Sequence, residues 1–453
     1  MFPRSLFDTV RRRRPRHPAQ RVAAAFAVGI LVGTILLLLP YARAGPGGAP
    51  LHVATFTATS AVCVSGLTVV DTATYWSTLG QVIIMLLVQV GGLGFMVLAS
   101  LLALAMSRRL GLRQRLLAQT EINVVELGET RRVLLGVAAF SVAFEVLTAA
   151  VLTGRLWLGY GEPFGRAAWY GLFHSVSAFN NAGFALYSDN LVGFVDDGWV
   201  SLTVTLAVIA GGLGFPVLIE LIREPASPGR WSLHTKLTLT MTWVLLAAGT
   251  LGILAFEWSN PDTLGRLDLP GKLLAGFFHG ASPRSSGFNT VDYGEMGETS
   301  WLVTEVLMFI GAGSAGTTGG IRVTTFAVLV LMVAAEARGL STVNAFRRRI
   351  PQAAQRQALT VTLIGLGAVV AATLAITAQS GLPLSRTTFE AFSAFGSAGM
   401  TTGITPQLPL SSQTIVILLM FLGRTGPITL ATALALRERE PRYRYPEERP
   451  IIG

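Results

Sequence analysis

The chain has 453 residues, of which 51% are hydrophobic and only 13% are charged, and its mean hydropathy is +0.56. These values exclude an ordinary soluble protein and indicate that a lipid bilayer surrounds most of the chain. The single cysteine, Cys63, excludes an intrachain disulfide and any multi-cysteine zinc or iron–sulfur site, and the five histidines are scattered. The formal charge of +10 would suggest nucleic-acid binding in a soluble protein, but in a membrane protein it first suggests basic cytoplasmic loops.

Eight stretches are long and apolar enough to be membrane spans, and an even number places both termini on the same side of the membrane. They lie near residues 22–39, 79–106, 133–156, 199–222, 233–256, 301–336, 357–379 and 413–436. The sixth stretch is too long for one crossing and contains the glycine-rich segment 311–320. We therefore predict two half-helices there, separated by an irregular break.

The distribution of basic residues predicts the orientation. The two terminal segments and alternate connections carry 26 of the 35 lysines and arginines, the other connections carry seven, and Arg322 and Arg424 lie within spans. By the positive-inside rule, both termini are cytoplasmic. The run from Arg11 to Arg14 is then a topology determinant that contacts lipid headgroups, and we predict no nucleic-acid partner. We also expect no cleaved signal peptide after Arg21, because the apolar stretch that follows is too long.

The four outer connections resemble one another. Each contains a short, weakly polar, aromatic-bearing segment that ends in a glycine, and these glycines are Gly66, Gly183, Gly287 and Gly399. The motif Gly-Gly-Leu-Gly-Phe at 91–95 recurs exactly at 211–215, and the third and fourth copies have Gly-Ala-Gly-Ser at 311–314 and Gly-Arg-Thr-Gly at 423–426. We therefore predict an all-α membrane protein of four tandem helix–pore loop–helix units. The predicted organisation is a basic N-terminus (1–21), units 22–106, 107–222, 223–336 and 337–436, and a cytoplasmic tail (437–453).

Each short segment is too short to cross the membrane, and irregular backbone at membrane depth is tolerated only inside protein or against water. Four such segments favour a pore with a pseudo-fourfold axis, in which short helices direct their negative ends at a cation and loop carbonyls replace its hydration shell. The alternative is that the segments are only Gly-Ala helix-packing motifs. The predicted filter residues are Val62, Cys63, Val64, Ser65, Gly66, Phe179, Asn180, Asn181, Ala182, Gly183, Pro283, Arg284, Ser285, Ser286, Gly287, Phe395, Gly396, Ser397, Ala398 and Gly399.

The four loop sequences resemble those of the Trk/Ktr/HKT superfamily of potassium transporters, as do the break in the third unit and the arginine in the fourth. With one span before the first loop, the chain is most similar to the membrane subunit of the Ktr (KtrB-type) systems. The resemblance implies potassium uptake across the cell membrane, a homodimer with one pore per subunit, and a cytoplasmic nucleotide-binding ring that regulates it. It also implies potassium selectivity when all four glycines are present, whereas a serine at the first is associated with sodium transport.

Within this filter, potassium is expected on backbone carbonyls of Val62, Cys63, Asn180, Asn181, Arg284, Ser285, Gly396 and Ser397. Potassium is the only bound species that we expect, with no organic cofactor. The predicted gate is the break itself together with Arg424, and its residues are Gly311, Ala312, Gly313, Ser314, Ala315, Gly316, Thr317, Thr318, Gly319 and Gly320. The hydroxyls of Ser314, Thr317 and Thr318 either solvate an ion or hold this loop closed.

Arg424 lies halfway along an apolar span and needs a partner. It is either a structural arginine that bonds carbonyls, Glu305 or Glu336, or a charge beside the pore that raises the barrier to cations; the two roles can coexist. Twelve acids against seven bases in the outer connections would concentrate cations at the entrance, although most of these groups are individually expected to be solvated. We interpret His174 and His279 as hydrogen-bonding scaffold. Glu145 has no assigned mechanism.

Two function classes remain open. A gated potassium pore is favoured, and a secondary cation transporter coupled to sodium or protons is the alternative. The second is disfavoured because the four units run in the same direction instead of forming inverted repeats. No Ser/His, paired-carboxylate or histidine-cluster arrangement at one membrane depth indicates an enzyme.

Overall fold

The computed structural model describes residues 18–107, 127–284 and 286–435, with the side chains of 22–94, 135–284, 286–427 included. This part of the chain is mostly helical, and its one strand pair is a small hairpin of Asn344–Ala345 and Arg348–Arg349. Parts of the predicted basic N-terminus, the loop 108–126, Ser285 and the tail 437–453 lie outside the described residues.

The helices repeat the order long, short, long along the chain. The first unit has α1 (Pro18–Leu37), α2 (Leu51–Val62) and α3 (Thr78–Ser107), and the second has α4 (Leu127–Gly154), α5 (Phe164–Phe179), α6 (Gly198–Leu213) and α7 (Phe215–Arg223). The third has α8 (Leu233–Glu257), α9 (Leu269–Ala281), α10 (Glu298–Ile310) and α11 (Val323–Ala337). The fourth has α12 (Gln352–Ser380), α13 (Leu384–Gly396) and α14 (Leu410–Ala435).

The chain is a multi-pass helical membrane protein. Among the described residues, three helices are long and apolar enough to cross a membrane on their own, and the bent pair α6 and α7 passes the same test as one span. Large apolar side chains on these helices face outward; Leu147, Leu251 and Leu374 are each more than 60% exposed. Such surfaces are stable in contact with lipid acyl chains. The count of eight spans stays a prediction.

Two of the long elements are broken. The break in the third unit lies between Ile310 and Val323, where the sequence predicts it. A break in the second unit was not predicted: α6 ends at Leu213, Gly214 has a φ of +87°, and α7 leaves at 99° to α6. The same five-residue motif lies inside the unbroken α3, so the motif alone does not break a helix. Pro216 follows it in the second unit and lacks the N–H that would continue α6.

The outer end of the second unit is held by Asp197, whose carboxylate is buried. It caps α6 by accepting from the N–H groups of Trp199 (2.9 Å) and Val200 (3.3 Å), and it also accepts from Arg155 Nε (2.8 Å) and Tyr160 Oη (2.9 Å). Burial alone would raise the pKa of Asp197, but these hydrogen bonds outweigh it and hold the pKa below its usual value. The group therefore stays ionised at neutral pH.

Replacing this carboxylate should destabilise the protein. Asp197→Ala should cost about 1 kcal/mol through the lost helix cap, and Asp197→Asn should cost less because the amide oxygen still accepts. Because the folded pKa is lowered, the charge-dependent stabilisation is present above the unfolded value of about 3.9 and is lost as pH falls through the folded value. Thermal unfolding in detergent at neutral and acid pH measures both effects.

The control is Asp196→Asn, at the exposed neighbouring aspartate. Equal stability of Asp197→Ala and the unmodified protein at pH 7 would refute this assignment.

Candidate functional site

The four predicted glycines meet in a closed ring. Gly66, Gly183, Gly287 and Gly399 all have a φ between +70° and +87°, a region that a side chain disfavours. A Cβ placed on Gly183 would lie 2.5 Å from the Cα of Gly287, and one on Gly287 would lie 3.3 Å from the Cα of Gly399. A Cβ on Gly399 would lie 3.1 Å from Gly66, and one on Gly66 would lie 3.3 Å from Gly183. The four backbones therefore approach too closely for any residue with a side chain.

A ring of carbonyl oxygens interlocks with these glycines. Each glycine Cα is covered by the carbonyl of the residue that precedes the glycine of the next loop around the ring. These contacts pair Gly66 with Ala182, Gly183 with Ser286, Gly287 with Ala398 and Gly399 with Ser65. The sense of rotation is the same at all four contacts, so backbone oxygens from four loops converge on one place. Of the predicted filter residues, these eight are the ones that the structure brings together.

The loops are formed by the way the short helices end. After α2, the N–H of Ser65 bonds the carbonyl of Ser60 (2.7 Å), and Val64 has a φ of +55°. Equivalent bonds after α5 and α13 join Ala182 to Ser177 (2.7 Å) and Ala398 to Ser393 (2.9 Å), with left-handed conformations at Asn181 and Ser397. This is the Schellman ending, here with non-glycine residues in the left-handed position. It turns each chain sharply from the helix towards the ring.

Glycines in the long helices explain the recurring motif. Gly91, Gly211 and Gly423 each lie directly against a carbonyl at the end of the short helix in the same unit, those of Val62, Phe179 and Phe395 respectively. A side chain at any of these glycines would overlap that carbonyl. These three carbonyl oxygens thus face the long helices and not the ring. The inclusion of Val62, Phe179 and Phe395 among the carbonyls that line the filter stays a prediction, which these contacts with the long helices do not favour.

Glu145 has a structural role in a group of hydrogen-bonded side chains behind the second loop. The Asn180 Nδ2 donates to Gln89 Oε1 (2.9 Å) and Glu145 Oε1 (3.1 Å), and Gln89 Nε2 donates to Glu145 Oε1 (2.9 Å). Gly92 packs against the Asn180 side chain. Glu145 therefore belongs to a buried cluster that holds the second loop against the first unit.

The other predicted ion-binding residues are buried around the ring. Cys63 is fully buried. Arg284 follows Pro283 in a short 3₁₀ turn, and its guanidinium donates to the Thr242 carbonyl (3.4 Å) in α8. The Gly396 carbonyl and the Ser397 hydroxyl both lie against Gly319 of the break. Ser285, the remaining residue of this group, lies outside the described residues.

The break in the third unit lies against the break in the second. The Gly313 N–H donates to the Gly212 carbonyl (2.8 Å), and the Ser314 carbonyl is 2.5 Å from the position of a Cβ on Gly214. Asn181, oriented to satisfy its neighbours, accepts from Thr317 Oγ1 (2.6 Å). The hydroxyl of Ser314 lies 2.7 Å from that of Thr324. These contacts tie the segment 311–320 to the second loop and to its own following helix.

Arg424 is fully buried and bridges two other units. Its Nη1 donates to the Thr317 carbonyl in the break, and its Nη2 donates to the Gly91 carbonyl in α3 (3.1 Å). Backbone carbonyls are among the partners predicted for this arginine. Both bonds lie near the ends of short helices, since Gly91 packs against Val62 at the end of α2 and Thr317 bonds Asn181 just after α5. Arg424 therefore links the break to the first unit.

A second buried arginine was counted in the sequence but given no role. Arg322 is the residue before α11, has a φ of +81°, and donates from Nη1 to Thr318 Oγ1 (2.8 Å) and to the Gly313 carbonyl (3.3 Å). Arg322 therefore holds two residues of the break, Gly313 and Thr318, together by hydrogen bonds. The sequence signal for this structural role is the position of Arg322 inside an apolar stretch, because a charged side chain there needs polar partners.

A cavity of about 310 Å³ opens on the side of the ring that carries the predicted outer connections, and it is bounded by Gly66, Gly183 and Gly399. Its described lining includes Asp71, Asp189 and Asp292 and no basic residue. Asp71 accepts from Ser188 Oγ (2.6 Å) and Thr74 Oγ1 (2.7 Å). Burial alone raises the pKa of Asp71, but these bonds outweigh it and lower the pKa, so the group stays charged. The cavity therefore has a negative wall above the carbonyl ring.

Three of the twelve outer acids are buried, not solvated: Asp197, Glu257 and Glu390. Glu257 accepts from Thr263 Oγ1 (2.6 Å) and from the Gly297 N–H (2.9 Å), and it therefore fastens the outer connection of the third unit. The outer connections are thus compact, hydrogen-bonded structures. Some of their charged groups are structural, and others face the cavity.

The comparisons with known proteins agree with this architecture. The family model described as "TrkH: Cation transport protein" matches residues 12–443. The chain is 41% identical to the Ktr system potassium uptake protein B of Bacillus subtilis over 96% of this chain and 97% of that protein. It is 34% identical to the potassium/sodium uptake protein NtpJ of Enterococcus hirae, with the same coverage of 96% and 97%.

The fold is also similar to a solved structure. The crystal structure of the potassium transporter TrkH from Vibrio parahaemolyticus superposes with a TM-score of 0.72 at 15% identity, and covers 93% of this chain and 85% of that one. The likeness extends over nearly the whole chain and includes all four units. The chain belongs to the TrkH family of cation transport proteins, which are transporters and not enzymes.

Proposed function

We propose that this protein takes up potassium through a gated pore whose selectivity filter is the ring of backbone carbonyls at Gly66, Gly183, Gly287 and Gly399. The closed, same-handed ring of four glycines and four carbonyls is the observation that carries the proposal. Carbonyl oxygens can replace the hydration shell of a potassium ion. Relatives named as potassium uptake proteins, at 41% and 36% identity, support the choice of ion.

The proposed path runs from the outer cavity through the ring. The carboxylates that line the cavity attract cations. The short helices direct the negative ends of their dipoles at the ring from four sides. The proposed ion-binding residues are those at and after the end of each short helix, 63–66, 180–183, 284–287 and 396–399. The carbonyls of Val62, Phe179 and Phe395 are not part of this set.

The proposed gate is the break 311–320 with Arg424. Support comes from its position beside the base of the second and fourth loops and from the buried charge of Arg424, which bonds the break on one side and α3 on the other. A cationic group next to an ion path raises the barrier to cations. Movement of the break would both displace this charge and open the space beneath the ring.

The proposed assembly is a homodimer in the cell membrane with both termini in the cytoplasm and with a cytoplasmic nucleotide-binding ring as the regulatory subunit. The basic loop 337–356 supports a partner on this side. Its hairpin presents Arg347, Arg348 and Arg349, all exposed, together with the exposed Phe346 at its turn. An acidic surface with an apolar pocket is the complement of such a hairpin.

Ion flux into proteoliposomes tests the function. Potassium, rubidium, sodium and lithium are compared with the purified protein and no gradient of a second ion. A channel-like pore takes up potassium and rubidium under these conditions in preference to sodium and lithium. Uptake only in the presence of a sodium or proton gradient would instead establish the coupled transporter.

Gly66→Ser should lower the preference for potassium over sodium about tenfold, equivalent to about 1.4 kcal/mol in relative ion binding. Serine at a positive φ costs about 1–2 kcal/mol in backbone strain, and its Cβ would also strike the Ala182 carbonyl. Relative uptake of potassium and sodium in proteoliposomes measures the change.

Gly94→Ser is the matched control for this substitution, because no atom of the described side chains and backbone lies within 4 Å of a Cβ on Gly94. Gly92→Ser, which the sequence suggests as a substitution confined to helix packing, is unsuitable because Gly92 contacts Asn180 of the second loop. Unchanged ion preference in Gly66→Ser together with altered preference in Gly94→Ser would refute the placement of the filter.

Arg424→Ala should raise resting potassium flux about tenfold, since removal of about 1.4 kcal/mol from a barrier has that effect, without a change in ion order. Arg424→Lys separates the two roles of the residue. It keeps the charge but not the two-sided hydrogen bonding, so flux stays low if the charge is the barrier and rises if the bridge holds the gate.

Shortening the break within 311–320 should also raise flux. Unchanged flux in a correctly inserted deletion variant would contradict the gate.

The partner proposal predicts that a co-expressed nucleotide-binding ring subunit co-purifies with the protein and changes its flux. Replacing Arg347, Arg348 and Arg349 together with alanine should weaken this association about tenfold or more, because exposed charges contribute chiefly at the interface. Size-exclusion chromatography and flux assays measure the two effects. A ring that neither binds nor alters flux would overturn the partner proposal and leave the filter proposal intact.

A further inference from the structure

Three of the four short helices carry a buried hydrogen-bond acceptor at the same place. His174 and Glu390 lie nine residues before the ring glycine of their unit, and His279 lies eight residues before it. Their exposed fractions are 3%, 0% and 0%. The three side chains differ in chemistry, so their shared position is visible only once the four units are aligned on the glycines. We refer to His174, His279 and Glu390 as the brace residues.

Each brace residue bonds the chain that leaves the ring. His174 Nε2 accepts from the Leu186 N–H (3.2 Å), His279 Nε2 accepts from the Thr290 N–H (3.3 Å), and Glu390 Oε1 accepts from the Thr402 N–H (3.3 Å). These three donors are each three residues after the glycine of their loop. The bond therefore spans the loop from the short helix to the departing chain and encloses the ring residues between its ends.

Two of the brace residues, His279 and Glu390, accept further hydrogen bonds from the departing chain. His279 Nε2 also accepts from the Val291 N–H (3.2 Å). Glu390 also accepts from the hydroxyls of Thr401 and Thr405, the latter at 2.9 Å. Backbone N–H groups held in this way are satisfied at a depth where an unpaired donor is costly.

The hydrogen bonds require both imidazoles to be neutral with the proton on Nδ1. His174 Nδ1 lies 2.7 Å from the Tyr170 carbonyl, which can only accept, so Nδ1 carries the proton and Nε2 is free to accept. His279 Nε2 faces backbone donors, so its proton is also on Nδ1 and is donated to Tyr293 Oη (3.0 Å). Tyr293 therefore selects the tautomer in which His279 can act as a brace.

The first unit differs from the other three. Nine residues before Gly66 is Thr57, whose buried Oγ1 has no hydrogen-bond partner among the described residues. The first loop thus lacks this bond, while the second, third and fourth have it. The ring combines three loops that are pinned from behind and one that is not.

We propose that the brace residues are positioning residues for the carbonyl ring: by holding the departing chain to the short helix, they set the spacing of the ring and so its preference among cations. The proposal rests on the proposed function. Its physical basis is that selectivity depends on the number and field of the oxygens around the ion, and these change when a loop shifts.

Paired substitutions test each brace. The substitutions His174→Leu, His279→Leu and Glu390→Leu remove the acceptor. The substitutions His174→Gln, His279→Gln and Glu390→Gln keep an oxygen within similar reach. Each leucine variant should lower the preference for potassium over sodium about tenfold, and each glutamine variant should restore most of it. Thr57→Val, at the position without a bond, should leave the preference unchanged. Relative uptake of potassium and sodium in proteoliposomes is measured, with thermal stability in detergent as the folding check.

Two milder variants serve where a leucine variant does not fold. Tyr293→Phe removes the group that selects the His279 tautomer, and Thr405→Val removes a hydroxyl that donates to Glu390. Each should lower the preference severalfold with little change in stability. If the unmodified protein transports potassium and all of these variants keep its ion order, the brace proposal is wrong and the proposed function stands. If the unmodified protein transports no cation, both are wrong.

Discussion

The close approach of four backbone segments at Gly66, Gly183, Gly287 and Gly399 is the constraint on which the rest of the structure depends. Each loop has to bring a carbonyl against the Cα of its neighbour, so a side chain at any of the four places would force the ring apart. The short helices bring the chain to this point, and the Schellman endings of α2, α5 and α13 turn it towards the ring. Glycines on the long helices then let those helices close behind the loops.

The four units share this plan, but the second and third units differ from the others because their long elements are broken. Pro216 breaks the second unit, and a longer break interrupts the third, and the two breaks pack on each other beneath the second loop. Buried charge accompanies the irregular backbone: Arg322 closes the third break from within, and Arg424 joins it to the first unit. Backbone that leaves a helix at membrane depth needs such partners, because neither lipid nor a neighbouring helix turn satisfies it.

Polar groups on the outer half of the protein have separate tasks. Asp197 and Glu257 cap and fasten connections, and the brace residues tie the loops to the short helices. Asp71, Asp189 and Asp292 instead face the cavity above the ring. A buried carboxylate or neutral imidazole is stable at these sites because each is hydrogen-bonded to the surrounding chain. The entrance therefore combines a rigid frame with a charged wall.

The sequence by itself determined the long and short helices, the four glycines and the need of Arg424 for buried polar partners, since hydropathy, repeat spacing and the lack of a side chain are local properties. It did not show that Val62, Phe179 and Phe395 turn their carbonyls away from the ring, nor that Gly91 and Thr317 bond Arg424, 333 and 107 residues away. The break at Gly214 was readable from Pro216, whereas the shared role of His174, His279 and Glu390 was not. Hydrogen bonds between distant residues depend on the direction of each group in space, which only tertiary packing decides.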